Sequence, residues 1–194
     1  MCRSRFAALL LLSVAVPAQE TYKKPPKEIL DVLHAPTTPQ PTLSPGGDML
    51  LLCESRAYPP IAEVAQPMLR LAGVRINPRN NGPHMQPYSV GLRLQKIADG
   101  SEIKVSLPAN ARIWSVEWSP DGKRFAFLNA TSAHIELWVG DRTGQTRRLP
   151  GNISTITRDS VRGAGSRLGD PLRWMPDSRT LLVTLVPAGR GLQA

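Results

Sequence analysis

A chain of 194 residues is long enough for one domain with a sizeable core. Its 41% hydrophobic and 20% charged residues exclude wholesale disorder, and 19 prolines with 15 glycines suit many short strands better than long helices. A net charge of +9 invites a nucleic-acid reading, but the basic residues are scattered between apolar runs and the densest group is only Arg142, Arg147 and Arg148, so no nucleic-acid partner is expected.

Residues 1–18 read as a secretory signal peptide. Arg3 and Arg5 form the positive start, Phe6 to Val16 the short apolar run, and Val16-Pro17-Ala18 a small-residue site for cleavage after Ala18. The apolar run is short for a bilayer span, and Cys2 precedes it, unlike a lipoprotein cysteine. The expectation is export, to a periplasmic or extracellular place, with no membrane association after cleavage. The mature chain then keeps one cysteine, Cys53, in the run Met49 to Cys53. It cannot form an intrachain disulfide and reads as a buried small side chain. Residues 19–38 read as an extended N-terminal segment, and 39–194 as one β domain.

That domain carries a repeat. Leu43 to Leu52 (LSPGGDMLLL), Trp118 to Phe127 (WSPDGKRFAF) and Trp174 to Val183 (WMPDSRTLLV) each place a large apolar residue before a tight turn and an apolar strand after it. Pro120 presets the first turn corner, Asp121 can bond the neighbouring backbone, and Gly122 tolerates positive φ. Ile113 to Trp118 alternates, whereas Phe125-Ala126-Phe127-Leu128 is apolar on both faces, as a strand between stacked sheets must be. Ile135 to Val139, the turn Asp141 to Gly144 and Thr146 to Leu149 complete four strands in about forty residues, the size of one propeller blade. The first repeat is completed by Gly91 to Ile97 and Glu102 to Leu107 around Asp99-Gly100. The third offers Leu172 to Trp174 and Thr180 to Val186 before the sequence ends.

The fold class expected is therefore all-β: a partial β-propeller of four-stranded antiparallel blades, about two full blades and part of a third. The alternative is a small free-standing β-sandwich. An insertion, 56–89, interrupts the first blade; within it Ile61 to Ala65 and Met68 to Ala72 read as short helical turns.

No catalytic, cofactor-binding or metal-ligating residue is assigned. No G-x-S-x-G turn occurs; Gly163-Ala164-Gly165-Ser166 has the wrong spacing and reads as a loop. His34, His84 and His134 are far apart in sequence and lack an i, i+4 partner. Asp121 and Asp177 read as turn formers, and Trp114, Trp118, Trp138 and Trp174 as core packing. No cofactor is expected.

Two further stretches narrow the reading. One runs from Tyr22-Lys23-Lys24-Pro25-Pro26 through Ile29 to Leu33, Ala35-Pro36 and Leu43-Ser44-Pro45. The other runs from Pro59-Pro60-Ile61-Ala62 through Leu69 to Asn77, to Tyr88 and Gly91-Leu92. Together with the SPDGK-type turns, they resemble the opening of the glutamyl endopeptidase group of the prolyl oligopeptidase family. The resemblance spans about Tyr22 to Arg190. His34 departs from the acidic residue expected there, and Met175 replaces the usual small residue before Pro176. The resemblance implies a secreted serine endopeptidase cleaving after Glu. Its propeller would act as scaffold and access gate against an α/β-hydrolase domain that this sequence lacks. The peptide substrate would be met through that missing domain, and the propeller would touch it intramolecularly. The repeat alone fits equally a non-catalytic, TolB-like periplasmic propeller that binds a protein partner.

Overall fold

The computed structural model describes residues 24–56, 58–71, 73–84, 87–155, 171–187 and 189. The signal-peptide reading of 1–18, the start of the 19–38 segment and the Gly163-Ala164-Gly165-Ser166 loop lie outside the described residues.

The chain divides into two units, Met1–Ala35 and Pro36–Ala194. In the first, α1 (Lys27–Leu33) corrects the extended reading of 19–38. Pro26 holds φ at −53° just before the first turn, where its missing N–H costs nothing, and Lys27 pairs with Asp31 one turn on.

The sheets of the second unit are antiparallel throughout, with no closed barrel among the described residues. Its strands are β1 (Gln40–Leu43), β2 (Met49–Ser55), β3 (Leu69–Leu71), β4 (Val74–Asn77), β5 (Gly82–Pro83), β6 (Ser89–Lys96), β7 (Glu102–Lys104) and β8 (Ile113–Trp118). Then come β9 (Arg124–Ala130), β10 (Ile135–Asp141), β11 (Thr146–Leu149), β12 (Leu172–Trp174) and β13 (Leu181–Val183). The groups β1-β2-β6-β7 and β8-β9-β10-β11 join through a single register pair, Ser89 with Ile113. β12 and β13 form a separate hairpin.

The repeat folds the same way three times. Ser44 N–H bonds Met49 O, Ser119 N–H bonds Arg124 O, and Met175 N–H bonds Thr180 O, at 2.8, 2.8 and 2.9 Å. Two residues past each Pro the backbone is left-handed: Gly47 at φ 71°, Gly122 at 64° and Ser178 at 56°. In the first two turns the serine hydroxyl also bonds an Asp carboxylate and the strand beyond. Met175 cannot do this. There Asp177 alone takes the Arg179 and Thr180 amides and the Thr180 hydroxyl.

Two cores lie on opposite faces of β9. Phe125 and Phe127 pack with Leu51, Leu92, Leu94, Ile113 and Trp118, toward the first strand group. Ala126 and Leu128 pack with Ile135, Leu137, Ile153, Leu172 and Trp174, toward β12 and β13. The strand apolar on both faces is thus a middle layer, as expected from its sequence. Each later layer is pinned to the one before by an indole. Trp118 Nε1–H donates to Thr42 O at 3.1 Å, and Trp174 Nε1–H donates to Glu117 O at 3.2 Å. In the repeat, Thr42 and Glu117 occupy the same position, one residue before Leu43 and Trp118. Leu43, at the indole position of the first repeat, is 55% exposed, against 7% for Trp118 and Trp174.

The insertion departs from its sequence reading in one half. Ile61–Val64 is helical (α2), as expected. Residues 69–71 are strand, paired to β4 across a turn at Gly73 (φ 88°), because Leu69-Arg70-Leu71 alternates with period two and Gly73 supplies the tight reversal. β7 also ends earlier than the expected Leu107: the Ser106 N–H turns away to Gly144 O of the next layer, at 2.8 Å. Among the described residues no helix is long and apolar enough to cross a membrane.

Candidate functional site

The strand order fixes two ends of the layers. The β1–β2, β8–β9 and β12–β13 turns share one end with the 97–101 and 141–145 turns. That end is tied together: Arg142 pairs with Asp48, and the Asp121 N–H bonds Ser178 Oγ at 3.0 Å. Its aspartates are occupied by neighbouring donors. The Ser119 hydroxyl and the Lys123 amide hold the Asp121 carboxyl below the usual range. The Thr180 hydroxyl, with the Arg179 and Thr180 amides, lowers Asp177 to about 2. Asp121 and Asp177 are turn locks, as their sequence context indicates.

The other end carries the insertion and the candidate site. α2 presents Glu63 to two donors. Arg112 Nη1, at the entry to β8, lies 2.7 Å from one carboxylate oxygen; the Tyr88 hydroxyl, just before β6, donates to the other at 2.9 Å. The Arg112 guanidinium sits over the Tyr88 ring, 5.5 Å from its centroid. Burial, and next the hydrogen bond to Glu63, raise the Tyr88 phenol above its ordinary value. Behind these groups is a cavity of about 40 Å³, room for very few waters, bordered by Gln66, Asn77, Asn80, His84 and Trp114. Trp114 Nε1 is buried with no acceptor there. Asn80 ties the insertion to the second layer, donating to Thr131 O at 3.1 Å.

A second polar cluster faces the first core. Glu136 is buried in β10 and accepts from Asn129 Nδ2 at 3.0 Å and from Trp138 Nε1 at 2.8 Å. His134 Nε2 and Arg148 Nη1 lie 3.3 and 3.4 Å from its other oxygen. Burial alone would raise this carboxyl, but the Asn129 and Trp138 donors with the Arg148 charge outweigh it and hold it low. The cluster satisfies a buried carboxylate and presents no nucleophile.

The remaining sequence candidates are dispersed. His34 follows α1, His84 borders the cavity and His134 meets Glu136. Among the described residues no group of three or more His, Cys, Asp and Glu is placed to hold a metal ion. Burial pushes the Cys53 thiol up to about 11, that of an inert packing residue. Trp118 and Trp174 are core residues, and Trp114 and Trp138 pack partly against it. Arg142 and Arg148 are committed to Asp48 and Glu136, so the three-arginine group is not one basic patch. Sequence reasoning missed Glu63, Tyr88 and Arg112. The signal available was a charged residue on a short helix inside a long insertion, but its partner is 49 residues away.

No family model matches the chain. It is 34% identical over 182 residues to the protein named "Probable glutamyl endopeptidase, chloroplastic" of Oryza sativa subsp. japonica, covering 88% of this chain and 18% of that one. With the Arabidopsis thaliana protein of the same name it is 35% identical over 181 residues, with the same coverage. The chain belongs to the glutamyl endopeptidase group of the prolyl oligopeptidase family. It corresponds to the N-terminal portion of such peptidases and spans about a fifth of the length of the curated relatives it matches. A solved chain assigned as a dipeptidyl aminopeptidase IV, from Bacteroides ovatus ATCC 8483, superposes with a TM-score of 0.37 at 15% identity, over 59% of this chain and 18% of that one. That similarity is too distant to bear on fold or activity.

Proposed function

We propose that these layers are the first blades of a β-propeller that scaffolds and gates a serine endopeptidase cleaving after Glu. β1-β2-β6-β7 forms one blade, β8-β9-β10-β11 the second, and β12-β13 opens a third. The observation that carries this is the 34% identity with a glutamyl endopeptidase across 88% of the chain. The repeated layering supports it, because indoles bind each layer to its predecessor as stacked blades require.

In this reading the layers contribute no reacting group. They form a rigid wall beside an α/β-hydrolase domain that supplies the Ser, His and Asp for acyl transfer to serine and hydrolysis by water. The wall limits which peptides enter. The insertion, elaborating one end of otherwise minimal blades, is the natural rim of that gate. The Arg3 and Arg5 start with its short apolar run supports export, and the mature chain would begin at Gln19.

The test uses the full natural chain. A fluorophosphonate probe should label one serine, and peptides with Glu should be cut in preference to their Gln isosteres. Absence of probe labelling together with absence of cleavage would overturn the peptidase reading. N-terminal sequencing of protein recovered from the cell envelope checks export; an intact Met1 would refute it.

A further inference from the structure

Arg112 and Tyr88 converge on one carboxylate. Their donors reach separate oxygens of Glu63, and the guanidinium carbon lies 5.5 Å from the centroid of the phenol ring. Two aimed donors, one per oxygen, with the cation over an aromatic ring, are what recognition of a free carboxylate requires. The group filling this place is weakly held by everything else. α2 has only four residues, no side-chain cap and no buried residue. Its apolar side chains face out, Ile61 at 87% exposure and Val64 at 47%, whereas the Glu63 side chain is only 11% exposed. The helix therefore rests on the end of the layers mainly through its carboxylate. Moving it aside uncovers little apolar surface.

We propose that Arg112 and Tyr88 form a carboxylate-recognition pair, filled here by Glu63, for which an acidic side chain of a peptide competes. The proposal rests on the peptidase reading above and gives the gate a chemical preference. A peptide glutamate offers the same carboxylate on the same two-carbon stem. Exposed Ile61 and Val64, on the same short helix as Glu63, supply apolar contact for flanking residues. The chain's positive charge raises the local concentration of acidic peptides. Binding would release α2 and open the insertion, so acidic peptides would favour their own entry. The neutral partners around the cavity, Gln66, Asn77 and Asn80, carry no charge to compete for Arg112.

The experiment measures binding calorimetrically on the full natural chain, with turnover blocked by the fluorophosphonate. The probes are a hexapeptide with one central Glu and its Gln isostere. Glu63→Gln keeps the shape and removes the competing charge. It should tighten binding of the Glu peptide about fivefold, the effect of a part-buried ion pair no longer contested, and leave the Gln peptide unchanged. Adding Arg112→Gln should abolish the gain. Tyr88→Phe in the otherwise natural chain should lower the Glu-over-Gln preference, which keeps the test decisive where Glu63→Gln fails to fold. A preference that stays constant through these variants, or a uniform change for both peptides, overturns the proposal and leaves Glu63 a brace. Loss of probe labelling with the preference intact would instead sink the peptidase reading.

Discussion

Gly140 offers the sharpest test of the layered packing. It lies in β10 opposite Phe125 of β9. A Cβ placed on it would stand 2.3, 2.7 and 2.9 Å from Cζ, Cε2 and Cε1 of the Phe125 ring. Ordinary carbon contacts are about 3.5–4.0 Å, so the overlap exceeds an ångström at the ring tip. The ring has nowhere to go. Phe125 is fully buried, edge-on to Trp118 at 5.7 Å and stacked on Phe127 at 6.3 Å. Gly140→Ala should therefore cost about 2–3 kcal/mol, the upper part of the overpacking range. Phe125→Leu removes the atoms in conflict and by itself should cost about 1–1.5 kcal/mol through lost packing. The pair together should cost less than their sum, by about 1–2 kcal/mol, since each change relieves the other. Amide hydrogen exchange of β9 and β10 reads this, because local opening energies remain defined where a long chain does not unfold in one step. Additivity within about 0.5 kcal/mol would refute the contact on which the reasoning stands.

Trp118→Phe and Trp174→Phe keep a buried aromatic ring but remove the pyrrole half of the indole and with it the donors to Thr42 and Glu117. Each should lower protection of its layer by at least about 0.5–1.5 kcal/mol in the same exchange experiment, and an unchanged pattern would mean that neither the donors nor the lost ring area holds the layers together. The Asp177 carboxyl sits lower in the folded chain, at about 2, than in the unfolded one, so the unfolded state binds the extra proton. Its contribution is complete above the unfolded value near pH 4 and fades as pH falls through about 2; Asp177→Asn should flatten that part of the acid response of the β12–β13 amides, read by exchange. Cys53, with its thiol at about 11, should resist iodoacetamide at pH 8 in the folded protein and react once denatured, as peptide mass spectrometry would show; modification of the native chain would contradict its burial.

What could be read along the chain was what neighbours in sequence decide. Pro120-Asp121-Gly122 needs no tertiary help to reverse the backbone, and the strands read at Ile113–Trp118 and Thr146–Leu149 have the observed bounds. The doubly apolar run Phe125 to Leu128 implied a middle layer, and the two cores on its faces agree. Where two local signals competed, sequence misled: Met68 to Ala72 suited a helical turn by composition, but period-two alternation before Gly73 prevailed. The 19–38 segment read as extended, yet Pro26 precedes a helix start, where proline is tolerated.

Stacking of the layers decided the rest. Trp118 and Trp174 were visible as a repeat, but their acceptors stand 76 and 57 residues away in the preceding layer. Glu63, Tyr88 and Arg112 carry no spacing that marks them, since an insertion and two strand ends meet only after the first two groups pack. A turn or a strand face depends on backbone geometry over a few residues. A carboxylate meeting its two donors depends on where whole sheets come to rest, and no local pattern records that.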